Sequence, residues 1–453
     1  MPSGNAATST TPLVVRALRP FQRFARTESS GGVVLLICAA VALAWANSPW
    51  SDSYFHLWET HIGVRIGERT LDLSLHHWIN DALMAVFFFV VGLEIKRELL
   101  VGELSTPRQA ALPIAGALGG MLVPALLYVM LNVGGPGARG WGIPMATDIA
   151  FALGVLALLG PRVPIALKVF LTALAIADDI GAVLVIALFY TSDVSVTSLM
   201  AGGAIVATLI VLVAIGVRRP SVFLGLGVLL WLAFLYSGVH ATVAGVVLAM
   251  TIPSRTRVNE REFLAGARGA IDEFDAACQP GETVLTNRAQ QEAIEALEHA
   301  AEDVQSPLLT LEHKLHRVVA FFIMPLFALS NAGVALGGGL FDALAIPVTL
   351  GIILGLVVGK PLGITLFAWL AVRMRVAALP ERTTWRALHG VSWLGGIGFT
   401  MSLFIAGLAF SDQSLLDSAK VGILGASLIA GVAGWLMLKA PSKERGPRTE
   451  EVS

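Results

Sequence analysis

The chain has 453 residues, 55% of them hydrophobic and only 14% charged, and its mean hydropathy is +0.75. Water-soluble domains carry roughly 25% charged residues, so this is the composition of a membrane protein. A net charge of −1 gives no reason to expect a nucleic-acid partner, and two cysteines, Cys38 in an apolar run and Cys278 in a polar loop, cannot build a disulfide framework.

A helix needs about 17–25 apolar residues to cross a bilayer. Residues 1–30 form a polar, arginine-bearing N-terminal segment. The first apolar run, 31–47, ends in Ala44-Trp45-Ala46, which resembles a signal-peptidase site, but the polar region ahead of it is long for a signal peptide, so it is read as a membrane span. Residues 61–76 alternate apolar and polar positions, with Ile62, Val64 and Ile66 before a turn at Gly67-Glu68-Arg69-Thr70 and Leu71, Leu73 and Leu75 after it. Period two around a turn predicts a β-hairpin. A lone hairpin is marginal in water, so it either pairs with a second copy or plugs against its own helices.

Further spans are predicted at 78–95, 109–132, 144–160, 163–190, 196–216, 221–237 and 239–253, the last two nearly continuous at Ser237-Gly238. The fourth contains Pro144, Thr147 and Asp148, and the fifth carries adjacent acids, Asp178 and Asp179. A polar stretch, 254–316, holds twelve Asp or Glu against six Lys or Arg, and its 286–304 region has the pattern of an amphipathic helix. It is read as a solvated acidic spacer, with a regulatory module as the alternative. Spans 317–336, 344–372, 389–410 and 417–438 complete a set of twelve, and 439–453 form a polar tail. The tenth contains Lys360; the eleventh is interrupted by Gly395, Gly396 and Gly398.

Twelve spans place both termini on one side. With the termini cytoplasmic, 26 of the 31 Lys and Arg fall inside and four outside (Arg65, Arg69, Arg139 and Lys420), while Lys360 lies within a span. Parity and the positive-inside bias therefore agree, and the hairpin is extracytoplasmic.

Charge at the midplane carries the chemistry. A central Asp costs about 2.5–3.5 kcal/mol on insertion scales, which makes intramembrane acids functional by default. Adjacent helical residues point about 100° apart, so Asp178 and Asp179 serve different surroundings. Asp148 and Lys360 are the other deep charges. Carboxylates, the Thr147 hydroxyl and carbonyls freed by a broken helix are oxygen ligands suited to a hard cation such as Na+. In the broken spans an acid would balance half-helix N-termini and a base half-helix C-termini.

The blocks TDIAFALGVLALLG (147–160), ALAIADDIGA (173–182), SGVHATVAG (237–245), PLFALSNAGV (325–334), GKPLGI (359–364) and GGIGFTMSLFIAGLAF (395–410), with NDALMAVFFFVVGLEIKREL (80–99), resemble the NhaA-type sodium/proton antiporters in order and over nearly the whole chain. That family is itself a standing example of inverted repeats with broken helices, so the repeat reading (spans 3–5 against 10–12, with spans 4 and 11 discontinuous) and the resemblance are not independent. The resemblance implies an all-α, polytopic protein of about twelve helices in a bacterial inner membrane, without a cofactor. It exchanges H+ for Na+, and also for Li+, electrogenically and under pH control. By position, Asp178 and Asp179 match the ion-binding, proton-carrying pair, Thr147 and Asp148 the broken-helix pair, and Lys360 the membrane lysine that partners Asp178. Glu94, Arg97 and Glu98 match the pH-sensing end of span two. His240 matches a position with either a pH role or a packing role. The hairpin, 61–76, matches a homodimer contact.

The expected mechanism is competition: protons and Na+ contend for Asp178 and Asp179, with Thr147 a further ligand, and alternating access exposes the site to each side. Two other classes stand beside it. A passive cation channel would not couple the two flows. An intramembrane aspartyl protease needs acids on two helices, and adjacent residues on one helix cannot converge on one water.

Overall fold

The structure, a computed structural model, describes residues 31–66, 69–191, 194–254, 258–278, 283–335, 344, 346–380 and 383–439. The expected N-terminal segment 1–30, the hairpin turn at 67–68 and the tail beyond Lys439 lie outside the described residues. Among those described, seven helices are long and apolar enough to cross a bilayer, or up to nine if each of two bent pairs is one crossing. The three remaining predicted spans fall on shorter helices, Pro220–Leu235, Val243–Thr251 and Met324–Asn331. Two compact units are formed. The first comprises the segments ending at Asn80, running Glu103–Tyr190 and beginning at Ala320; the second comprises Asp81–Gly102 and Thr191–Val319.

In the first unit, strands His61–Ile66 and Arg69–Ser74 pair antiparallel, with Ile62 opposite Leu73 and Val64 opposite Leu71. The pairing stops one residue short of Leu75, because Ser74 accepts the His77 N–H and caps the short helix Leu75–His77. Helix Pro107–Asn132 crosses helix Lys360–Arg373 at Gly119 and Gly363, where a Cβ on either residue would overlap the other's carbonyl oxygen. Without a hydrophobic force between helices in lipid, such close backbone contact is what holds them. Lys360 follows a π-helical segment, Leu354–Gly359. Pro361 has no N–H to return to the carbonyl of the preceding turn, and the wider π turn reorients the backbone at Lys360.

Two helical segments of this unit are interrupted beside each other. A 3-10 helix, Ala138–Met145, gives way to extended backbone at Ala146 and Asp148 before helix Ile149–Leu158. Helices Trp385–Gly395 and Phe399–Ala409 meet at 45° across the intervening Gly396, Ile397 and Gly398. Backbone groups freed inside a membrane need partners, and each break supplies them to the other. The Asp148 N–H donates to the Ile397 carbonyl at 2.7 Å, and the Ser402 hydroxyl donates to the Ile143 carbonyl at 2.8 Å.

The second unit packs around Phe89, Leu93, Phe223, Leu230, Phe234 and Leu248. Helix Met84–Val101 lies against helix Val243–Thr251 through Gly92 and Gly245, each with no room for a Cβ. Lys96 donates to the carbonyls of Met250 (2.7 Å) and Ile252 (2.6 Å), closing the C-terminal end of Val243–Thr251. Gly238, at φ +84°, makes the turn that divides Pro220–Leu235 from it.

The polar stretch contains more helix than its periodicity suggests. Besides Arg288–Val304 it holds Glu260–Ala276, begun by a capping box in which Asn259 accepts from Glu262 N and Glu262 from Asn259 N. The two helices pack against each other. Helix Pro307–Val318, capped by Ser306, starts ten residues before the predicted ninth span. Its amphipathic pattern, with Leu308, Leu311 and Glu312 buried, is why hydropathy alone places the start later.

Candidate functional site

In the first unit, helix Ile165–Phe189 carries Asp178 and Asp179, and both side chains are buried. An uninterrupted apolar helix fixes their backbone, so the two carboxylates diverge by about 100° around its axis. Asp178 meets Lys360 in an ion pair, Nζ to Oδ2 at 2.5 Å, with the lysine fully buried. Lys360 also donates to the carbonyl of Met145, the last residue of the 3-10 half of the broken span. A buried lysine thus sits where a half-helix leaves its carbonyls open and partial negative charge collects.

Thr147 joins the two breaks to the acid. Its Oγ1 lies 2.7 Å from Asp178 Oδ2 and 2.8 Å from the Gly395 carbonyl oxygen. One hydroxyl has one proton, so it serves one of these acceptors at a time unless Asp178 itself carries a proton and donates to Thr147. The pair is therefore arranged so that protonation of Asp178 changes which bonds Thr147 makes. The other oxygen, Asp178 Oδ1, is buried and has no hydrogen-bond partner among the described residues. A buried carboxylate oxygen left open is a ready ligand for a cation or a proton.

Asp148 has a different environment. It accepts from Phe151 N at 3.0 Å, from Thr400 N at 3.1 Å and from Thr400 Oγ1 at 2.5 Å. Those amides open helices Ile149–Leu158 and Phe399–Ala409, so one carboxylate faces the N-terminal ends of both half-helices. Three donors satisfy this group, in contrast to Asp178. Thr400 was not among the residues singled out from sequence. The available signal is a hydroxyl residue just after the glycine break, where the first amides of a helix favour an anion.

The other predicted residues lie in the second unit. Arg97 donates to Glu312 at 2.6 Å and to Glu98 at 3.1 Å, and Glu94 lies 3.6 Å from His316 Nδ1. Burial pushes the Glu312 carboxyl above the ordinary glutamate range, against the opposing pull of Arg97. Glu312 and His316 were missed because they fall in the stretch read as a spacer. His240 is held apart from these residues by its own contacts, with Nδ1 2.7 Å from the Thr242 hydroxyl and Nε2 3.5 Å from Asp81. Among the described residues no group of three or more His, Cys, Asp or Glu is arranged to hold a resident metal.

The Na+/H+ antiporter 1 family profile matches residues 22–438. A Na(+)/H(+) antiporter NhaA from Oleidesulfovibrio alaskensis is 50% identical over 432 residues, covering 95% of this chain and 96% of the relative. One from Koribacter versatilis is 51% identical over 421 residues, covering 93% and 91%. Among solved structures, a sodium proton antiporter from Methanocaldococcus jannaschii is similar at 12% identity with a TM-score of 0.48, covering 90% of this chain and 91% of that one.

Proposed function

The chain belongs to the Na+/H+ antiporter 1 family, whose members are transporters and not enzymes, and on that premise we propose that it exports Na+, and also Li+, in exchange for H+. The observation that carries this reading is the open, buried Asp178 Oδ1 beside an ion pair to Lys360, with Asp179 at the next position. Na+ takes oxygen ligands from Asp178 and Asp179, with Thr147 as a further donor of lone pairs. Protons compete for the same carboxylates. Pairing to Lys360 engages Asp178 Oδ2, and protonation removes the charge that holds the cation; when Na+ enters, both acids are ionised.

Asp148 and Thr400 keep the crossing of the broken helices intact while the ion site changes charge. Alternating access then carries the loaded site from one side of the membrane to the other. Release of more than one proton per Na+ makes the exchange electrogenic, so that it follows the membrane potential at about 2.3 kcal/mol per charge per 100 mV.

The remaining readings belong to the same proposal. The protein is a multi-pass component of a bacterial inner membrane with cytoplasmic termini, built of about twelve spans in inverted repeats whose broken members are the fourth and eleventh. Glu94, Arg97 and Glu98, joined here by Glu312 and His316, and separately His240, are the candidates for pH control. The hairpin at 61–76 is the homodimer contact; its short open strands suit pairing with a second copy.

The test is proton movement in inside-out vesicles on addition of NaCl. Wild type collapses an imposed pH gradient, Asp179→Asn does not, and Lys360→Ala alters the response. A passive channel would conduct Na+ without moving protons, and Na+-driven proton flux in Asp179→Asn equal to wild type would overturn the assignment.

A further inference from the structure

Thr172 lies on the same helix as the paired aspartates. The residue is only 9% exposed, and its hydroxyl has no hydrogen-bond partner among the described residues. Threonine in an apolar helix has an ordinary solution, which is to donate to the carbonyl four residues earlier. This chain uses it elsewhere: Thr208 donates to Ala204 O at 2.8 Å, and Thr365 to Pro361 O at 2.7 Å. Thr172 makes no such bond to the equivalent carbonyl, that of Lys168. An unmet buried hydroxyl is costly, so its presence asks for a partner that comes and goes.

Its position says what that partner is. Thr172 and Asp179 are seven residues apart, about 20° from alignment on an α-helix and roughly 10.5 Å along its axis. They therefore lie on one stripe of Ile165–Phe189, two turns apart. Ala175 and Ile176 occupy the turns between. From Ile165 to Ala177, Thr172 has the only side-chain oxygen. A neutral hydroxyl offers lone pairs to a hard cation or to its hydration water and does not titrate, unlike the acids beyond it.

We propose that Thr172 is a cation-handling residue of the exchange, its hydroxyl taking partly hydrated Na+ between the start of this helix and Asp179. This rests on the exchange function proposed above. In the proposed orientation Thr172 is on the cytoplasmic side of the acids, so it acts on Na+ leaving the cell interior. Because the hydroxyl does not titrate, its contribution is the same at every pH. That separates it from Asp178 and Asp179, whose availability to Na+ depends on protons.

The experiment measures initial rates of Na+-driven proton movement in inside-out vesicles over a series of pH values, for wild type, Thr172→Val, Thr172→Ser and Asp179→Asn. Valine keeps the shape and removes the hydroxyl; serine keeps the hydroxyl. Thr172→Val is expected to raise the KM for Na+ about 3–10-fold, the loss of one hydrogen-bond-like contact. The maximal rate should hold, and the factor should be the same at each pH. Thr172→Ser is expected to stay within about twofold of wild type. If Thr172→Val fails to accumulate, Thr172→Ala gives the same readout. An unchanged KM in Thr172→Val, or an equal defect in Thr172→Ser, overturns the role of the hydroxyl. So does a factor that varies with pH. Wild-type exchange by Asp179→Asn would instead overturn the underlying function, which makes the two failures distinguishable.

Discussion

The crossing of the two broken spans is held by a carboxylate with three donors, and this can be tested as a coupled unit. In Asp148→Asn one accepting oxygen becomes an NH2 group. In the better orientation the amide oxygen keeps both Thr400 donors and the NH2 faces Phe151 N, so one hydrogen bond to a charged acceptor is lost. Such a bond is worth about 1.5–3 kcal/mol. The negative charge at two helix N-termini also disappears, at about 0.3–1 kcal/mol each. The expected loss is therefore about 2–5 kcal/mol. Thr400→Val removes only the Oγ1 donor, which lies 2.5 Å from Asp148 Oδ2, and is expected to cost about 1.5–3 kcal/mol. Asp148→Asn keeps the Thr400 Oγ1 bond but makes its acceptor neutral, so the hydroxyl is worth less in that background and the double variant should be less destabilised than the sum, by about 0.5–3 kcal/mol. Denaturant unfolding of the purified protein in detergent measures all three. Additivity within about 0.5 kcal/mol would refute the claim that Asp148 and Thr400 form one bonded unit.

Gly119→Ala or Gly363→Ala should destabilise by about 1–3 kcal/mol, since the added Cβ meets backbone that cannot move cheaply. Gly203→Ala, with nothing within 4 Å, should be neutral or up to about 1 kcal/mol stabilising; thermal melts of the three variants decide this. Lys96→Met should cost about 1.5–3 kcal/mol by opening the Met250 and Ile252 carbonyls, read in the same melts. Glu312 gives a pH-dependent case. A carboxyl raised by burial holds its proton in the folded state where the unfolded chain has released it, so its stability cost grows as pH rises from the ordinary glutamate value to the raised one. Glu312→Gln removes that dependence, and its stability relative to wild type should improve as pH rises through that window. A difference that stays flat with pH would exclude burial as the dominant influence on this group.

Much of the candidate site is legible in the sequence because lipid makes charge conspicuous. Asp148, Asp178, Asp179 and Lys360 stand out in apolar runs, and proline and glycine mark the places where two spans break. Three things were not legible. The partner of Asp148 on the other broken span, Thr400, is 252 residues away in sequence, and a hydroxyl in an apolar helix carries no charge to announce it. The π-helical turn before Lys360 depends on how carbonyls ahead of Pro361 find partners, which local pattern does not specify. The cluster of Arg97 with Glu98 and Glu312 draws one member from a stretch whose polarity suggested a spacer. There, helix Pro307–Val318 buries Leu308, Leu311 and Glu312 on one face while its other face stays polar, and average hydropathy cancels the two.

The central claim is that protons and Na+ contend for the carboxylates of Asp178 and Asp179. The most direct measurement is the KM for Na+ in reconstituted vesicles as a function of pH, with proton release on Na+ binding counted by calorimetry in buffers of different ionisation enthalpy. Competition requires the KM to rise about tenfold per pH unit on the acid side for each proton that must leave, with matching proton release and no Na+ binding by Asp179→Asn. A KM that stayed constant across that range, with no proton released on binding, would contradict the account.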